Sequence, residues 1–235
     1  MKILVIGSCT GAKDDAACPT EAKLTVADFD DAVRLRRREK EASKWLRPAS
    51  KMYTGRQHTQ MMDGVRLMRS TFGADACDVA ILSAGYGLIS ENRAIAPYDI
   101  TFQGMAKPLI KARGEKLGVP GALRKLIADY PIVFFLLGDS YLLSAQPPLV
   151  PTGKQRFVAF GSPKLRIAPG CDVIIIPSAQ KEATQFGDGV VTLKGRMLHL
   201  LAAGLKQKPK MLDEVVRDRT TTTVLALMQA GKQYV

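Results

Sequence analysis

Asp78-Val79-Ala80-Ile81-Leu82-Ser83-Ala84-Gly85-Tyr86-Gly87 is the stretch on which the fold turns. Its apolar part is short, uniform and lacks the alternation of a strand with one wet face, so residues 79–83 read as a strand buried on both sides. Such strands belong to parallel sheets, and ligands collect at their carboxyl ends. Gly85 and Gly87 carry no Cβ, which lets the backbone beside Tyr86 turn tightly and approach a ligand. Pro97 then fixes the chain ahead of Tyr98-Asp99-Ile100-Thr101, gathering an aromatic ring, a carboxylate and a hydroxyl beside the expected cleft. Asp99 has two readings, a working carboxylate or the cap of a helix beginning near Thr101. Tyr86 and Tyr98 likewise either meet a ligand or pack the loop.

Working outward, the same pattern recurs. Residues 2–7 form a β-branched run ending in Gly7-Ser8-Cys9-Thr10-Gly11-Ala12-Lys13, whose amides and Lys13 suit an anion. That loop lacks the Gly-Lys-Ser/Thr ending of a nucleotide P-loop and the spacing of a dinucleotide fingerprint. Residues 132–137 end in Gly138-Asp139-Ser140-Tyr141, where Asp139 is either a second cleft carboxylate or the cap of a helix beginning at Ser140. Strands are also expected at 155–160, ending in Gly161-Ser162-Pro163-Lys164, and at 172–177, ending in Pro177-Ser178-Ala179-Gln180. Pro147-Pro148-Leu149-Val150-Pro151 excludes helix and makes an extended connection.

Between the strands the spacing is helical. Met61, Val65, Met68 and Phe72 share one face of a helix over 56–72, and Leu193, Met197, Leu200 and Leu201 one over 192–205. His58 and His199 read as packed or hydrogen-bonded residues rather than catalytic bases. Strands alternating with helices give an α/β fold, a three-layer sandwich with a mostly parallel central sheet. Residues 1–235 are expected to form one domain, with a basic helical insertion near 27–51 and a helical tail over 209–235 broken near 219–223.

A net charge of +12 over 235 residues, with an isoelectric point near 9.7, points to a polyanionic partner. Arg37, Lys40, Lys44, Arg47 and Lys51 recur at intervals of three or four, which would align them on one helical face, with Trp45 as an anchor or stacking ring. Lys107 and Lys111 open a second basic, mostly helical region interrupted around 118–121. The four scattered cysteines and two histidines suit neither a zinc site nor a disulfide scaffold, so reduced thiols and no metal are expected. No apolar run has a membrane helix's length, and the first residues are too short for a signal peptide, which points to the cytoplasm.

Gly7-Ser8-Cys9-Thr10-Gly11-Ala12-Lys13, Pro48-Ala49 with Met52-Tyr53-Thr54-Gly55, Leu82-Ser83-Ala84-Gly85-Tyr86-Gly87-Leu88-Ile89 and Ile95-Ala96-Pro97-Tyr98-Asp99-Ile100-Thr101 together carry a resemblance. In that order they resemble the signature of a little-characterised prokaryotic domain family. That family is similar to uracil-DNA glycosylases and to the glycosylase-like domain of archaeal tRNA-guanine transglycosylases, and includes phage-defence glycosylases that remove glucosylated hydroxymethylcytosine. The resemblance is close over the first hundred residues and follows only the strand pattern thereafter. It departs at Thr10-Gly11-Ala12, where family members often carry lysines, and the Gly-Gln-Asp-Pro-Tyr-His motif of the best-known uracil enzymes is missing. Uracil is therefore not the expected substrate.

The resemblance implies a uracil-DNA-glycosylase-like fold and a DNA glycosylase that frees a modified base, leaves an abasic site and uses no cofactor. Cleaving an N-glycosidic bond builds positive charge on the sugar and negative charge on the base, so a carboxylate and nearby donors are wanted. Asp99 is the first choice of carboxylate and Asp139 the second. Ser8, Cys9, Lys13, Tyr53, Ser83, Gly85, Tyr86, Gly87, Tyr98 and Tyr141 are the expected substrate contacts, and Arg37, Lys40, Lys44, Arg47, Lys51, Lys107 and Lys111 the expected phosphate contacts. Two rivals stand beside this reading: a non-catalytic nucleic-acid-binding or RNA-modification accessory module, and a nucleoside hydrolase or deoxyribosyltransferase.

Overall fold

Residues 1–146, 155–161 and 173–235 are described by the computed structural model. The Pro147-Pro148-Leu149-Val150-Pro151 connection, Cys171, the Ser162-Pro163-Lys164 strand tip and the first residue expected of the last strand lie outside the described residues. In chain order the strands are β1 (Ile3–Ser8), β2 (Arg47–Pro48), β3 (Cys77–Ser83), β4 (Gly87–Ser90), β5 (Ala94–Ile95), β6 (Ile132–Leu136), β7 (Arg156–Gly161) and β8 (Val173–Pro177). The helices are α1 (Val26–Phe29), α2 (Ala32–Glu41), α3 (Ala49–Met52), α4 (Arg56–Phe72), α5 (Lys107–Lys116), α6 (Val119–Ile127), α7 (Asp139–Ser144), α8 (Gln180–Phe186), α9 (Leu193–Gln207), α10 (Met211–Arg217) and α11 (Thr222–Gly231).

Six strands form one sheet in the order β4-β3-β1-β6-β7-β8, in which β4 alone runs antiparallel to its neighbour. The fold is therefore α/β with a mostly parallel central sheet, and the uniformly apolar runs are buried strands because helices cover them. From β1 the chain goes to β3 on one side and returns to β6 on the other. The strand order reverses between β1 and β6, and that reversal opens a crevice at their carboxyl ends.

Alternation along β1 assigns the helices to faces. A Cβ built on Gly7 would fall 2.5 Å from the Met61 sulfur of α4. Leu4, an odd number of residues away, lines a groove with Ala122 and Leu126 of α6. Side chains of opposite parity point to opposite faces, so α4 and α6 cover opposite sides of the sheet. On the α4 side the helices touch backbone to backbone. A Cβ on Gly195 of α9 would lie 2.1 Å from the Gln57 carbonyl oxygen of α4, and one on Gly204 would lie 2.1 Å from the Leu227 carbonyl oxygen of α11. Met61, Val65 and Met68 are buried and Phe72 packs at the core margin, as the spacing of α4 implies.

Two sequence expectations change here. The turn at Gly85-Tyr86-Gly87 does not open toward a ligand but reverses the chain into β4, with Gly87 at φ 72° and Ser83 paired to Gly87. The missing Cβ of Gly85 makes room for the Phe29 ring, which would lie 2.8 Å from it. Nor is the basic insertion one helix. It divides into α1, α2, a 3-10 turn at Ser43–Trp45, β2 and α3, because Pro48 forces Arg47 out of the helical region and Arg47–Pro48 instead pair with Ala94–Ile95. Arg37, Lys40, Lys44, Arg47 and Lys51 therefore do not share a face. Several of that region's charges are also met by acids: Arg34 reaches the buried Asp28 at 2.7 Å, Arg37 reaches Glu41 at 3.7 Å, and Arg47 reaches Asp14 at 3.3 Å.

The remaining elements follow their sequence signals closely. The second basic region breaks at Gly118, φ 66°, between α5 and α6, and the tail forms α10 and α11. Cys9, Cys18 and Cys77 are free thiols, and no helix among the described residues is long and apolar enough to cross a membrane. The α4–α9 contact gives a direct test. Gly195→Ala must push the two helices apart and should cost roughly 1–3 kcal/mol in urea unfolding, whereas Gly121→Ala, a helical position that meets open space, should stabilise the fold by about 0.4–1 kcal/mol.

Candidate active site

At the β1/β6 reversal lies a cleft of about 480 Å³. Its lining is the 8–13 loop after β1, residues 55–57 at the start of α4, residues 99–101 with Gln103, Gly138 and Tyr141 after β6, and residues 190–192 with Lys194 at the start of α9. A second hollow of about 320 Å³ adds Asp139, Ser140 and Ser178 and shares Gln103, Gly138, Tyr141 and Lys194 with the first. The tips of β1, β6 and β8 thus meet in one crevice.

Of the residues singled out in the sequence, Ser8, Cys9, Lys13, Asp99 and Tyr141 line the cleft, and Asp139 lines the adjoining hollow. Tyr53, Ser83, Gly85, Tyr86, Gly87 and Tyr98 line neither; they form a buried layer behind it. Ser83 Oγ accepts the Gly85 and Tyr86 amides at 3.1 and 2.9 Å, which fills its acceptor positions, so its own hydroxyl donates to Tyr98 at 2.7 Å. The Tyr98 hydroxyl in turn lies 2.8 Å from that of Tyr53. Phe29 sets its edge against Tyr86 and Tyr98 at 4.8 and 5.5 Å, and the Tyr86 hydroxyl accepts the Ala96 amide at 3.0 Å. Tyr86 and Tyr98 therefore pack the loop, the structural one of their two readings.

This layer positions the charged groups in front of it. Asp99 follows the buried Tyr98, and the Lys13 ammonium stands 4.7 Å from the centre of the Tyr98 ring while its backbone bridges to Tyr53. Burial lowers the Lys13 pKa, with Cys9, Asp99 and Asp15 pulling it back up. The Tyr141 hydroxyl lies 3.0 Å from Cys9 Sγ and 3.4 Å from Thr101 Oγ1 on the cleft wall, and burial holds its pKa far above the usual phenol.

Both carboxylates are exposed and make no hydrogen bond or ion pair with the described residues. Asp99 caps no helix, since the next one begins only at Lys107. Asp139 is the first residue of α7 rather than its cap, that place belonging to Gly138. The expected phosphate contacts Arg37, Lys40, Lys44, Arg47, Lys51, Lys107 and Lys111 line neither hollow.

Other charged groups take their place. Arg56 and Lys194 line the cleft, and Asp188, its side chain 2% exposed, holds Arg56 at 3.3 Å while accepting the Gly189 amide and the Thr192 hydroxyl. Burial lowers the Lys194 pKa against the pull of Asp139. Val191, 79% exposed, stands on the rim. No local motif marks these residues; the contact of Gly195 with Gln57 brings them together. Among the described residues no group of histidines, cysteines and acids is placed to hold a metal ion. Comparison with protein-family models and with curated proteins finds no match for the chain.

The shielding of five tyrosines, three of them in this layer, Tyr141 on the cleft wall and Tyr130 hydrogen-bonded to Asp78, has a spectroscopic consequence. Of the six tyrosines, Tyr53, Tyr86, Tyr98, Tyr130 and Tyr141 are raised above the ordinary phenol pKa, chiefly by burial. A raised folded-state pKa means that the unfolded chain ionises first, so stability falls as pH climbs past about 10. In an absorbance titration at 295 nm, these five should stay protonated at pH 11 while the fold persists and ionise together as it unfolds. Gradual ionisation of all six with circular dichroism unchanged would contradict the packing described.

Proposed function

We propose that the chain is a DNA glycosylase that hydrolyses the N-glycosidic bond of a modified base and leaves an abasic site. The observation that carries this reading is Asp99, a carboxylate with no hydrogen bond or ion pair among the described residues, in the crevice at the sheet reversal beside Lys13 and Tyr141. The loop motifs support it too, because Ser8, Cys9, Lys13, Gly55, Asp99 and Thr101, all within the stretches that resemble the glycosylase-like family, converge on this one cleft.

In the proposed reaction the target nucleotide leaves the base stack and enters the cleft. Asp99 faces the sugar, stabilises the positive charge that grows at its anomeric carbon and orients the attacking water. The Tyr141 hydroxyl and the amides of the 8–13 loop meet the negative charge on the departing base. The adjoining hollow with Asp139, Ser140 and Ser178 gives room for a substituent on the base, glucosylated hydroxymethylcytosine being the substrate the family resemblance favours.

The test is excision from oligonucleotides carrying glucosylated hydroxymethylcytosine, oxidised or deaminated bases, read as alkali-labile strand cleavage. Asp99→Asn should lower turnover by about 10²–10⁴-fold with DNA affinity retained, and Asp139→Asn by less than about tenfold. Full turnover by Asp99→Asn would contradict the assignment. Inactivity on every polymer, with hydrolysis of free nucleosides, would favour the small-molecule hydrolase instead.

A further inference from the structure

Three cations reach the cleft from three separate elements: Lys13 from the loop after β1, Arg56 from the start of α4 and Lys194 from the first turn of α9. The two lysines are partly buried, and neither forms an ion pair with the described residues. Lys194 makes no hydrogen bond with them, and Lys13 makes one, a 3.4 Å contact to the carbonyl of Gly11 in its own loop. Withdrawing an ammonium from water without an ion-paired acid is unfavourable, and among the described residues this cavity partly withdraws two. Asp99 and Asp139 act on these lysines electrostatically, from beyond ion-pair distance.

Arg56 is placed differently. Asp188, itself fixed by Gly189 and Thr192, anchors one guanidinium nitrogen, which leaves the remaining donors of the fork to a ligand. No side chain caps α4 or α9, so the first-turn amides at both starts add partial positive charge to the same wall. A planar fork and two point charges suit a group with several anionic oxygens.

We propose that Arg56, Lys194 and Lys13 form a phosphate-binding subsite that holds a phosphoryl group attached to the substrate's sugar. The inference rests on the reading above, in which that sugar lies against Asp99, and it moves the phosphate contact from the outer basic surface into the cleft. The phosphoryl group belongs either to a nucleic-acid strand or to a free nucleotide.

Fluorescence anisotropy with an unmodified single-stranded oligonucleotide over a series of KCl concentrations tests the subsite without any base excision, so an inactive glycosylase leaves the result interpretable. Arg56→Gln and Lys194→Gln should each weaken binding and reduce the slope of log K against log salt by about 0.7. Lys107→Gln and Lys111→Gln should change it less. Asp188→Asn should reproduce Arg56→Gln in binding with Lys194 intact, and a thermal melt confirms that each variant is folded. Inorganic phosphate and a nucleoside 5′-monophosphate serve as competitors, with the bare nucleoside as control. Competition by the monophosphate with salt-dependent oligonucleotide binding supports the subsite and a strand phosphate. Competition by the monophosphate alone supports it with a free nucleotide as source. Unchanged affinity and slope in folded Arg56→Gln and Lys194→Gln, with neither phosphate compound competing, would overturn the proposal.

Discussion

The structure depends on one constraint, the reversal of strand order at β1. A parallel strand buried on both faces must satisfy its backbone through neighbours on either side, and β1 does so with β3 and β6. Because the connection to β3 and the return to β6 leave in opposite directions, the gap at their carboxyl ends is not closed by either crossover. Polar residues excluded from the apolar interior collect there. Ser8, Cys9 and Lys13 follow β1, Gly138 and Asp139 follow β6, and the starts of α4 and α9 close the walls.

Behind the crevice, the hydrogen-bonded Ser83, Tyr98 and Tyr53 side chains turn an aromatic cluster into a fixed support. Their hydroxyls satisfy one another, so phenols can be buried without the desolvation cost of an unpaired polar group. A carboxylate and an ammonium mounted on this support keep their places in the cleft without pairing to each other, and remain available to a ligand. The α4–α9 contact does the same on the other wall, where the absence of a side chain at Gly195 lets Arg56 and Lys194 come to one cavity.

How far the sequence foretells this depends on the range of each signal. The parallel strands, α4, α9 and the two tail helices are legible because period and composition are local properties. Ser8, Cys9, Lys13, Asp99 and Tyr141 are legible because they stand at strand ends or beside a proline-fixed turn. Gly85-Tyr86-Gly87 misleads because glycines that admit a ligand and glycines that reverse a hairpin look alike until Gly87 shows its positive φ. The basic spacing from Arg37 to Lys51 misleads because Pro48 and the pairing with β5 break the helix that would have aligned it. Arg56, Asp188 and Lys194 are silent in sequence, since their meeting is created by the packing of two helices more than a hundred residues apart.

The most direct measurement is the mass of any small molecule found in solution after the protein is incubated with genomic DNA rich in modified bases. The account predicts an intact modified base freed by the wild-type chain and not by Asp99→Asn, with the abasic sugar left in the strand. Release of free nucleosides or nucleotides, or of the same base by both chains at equal rates, would contradict it.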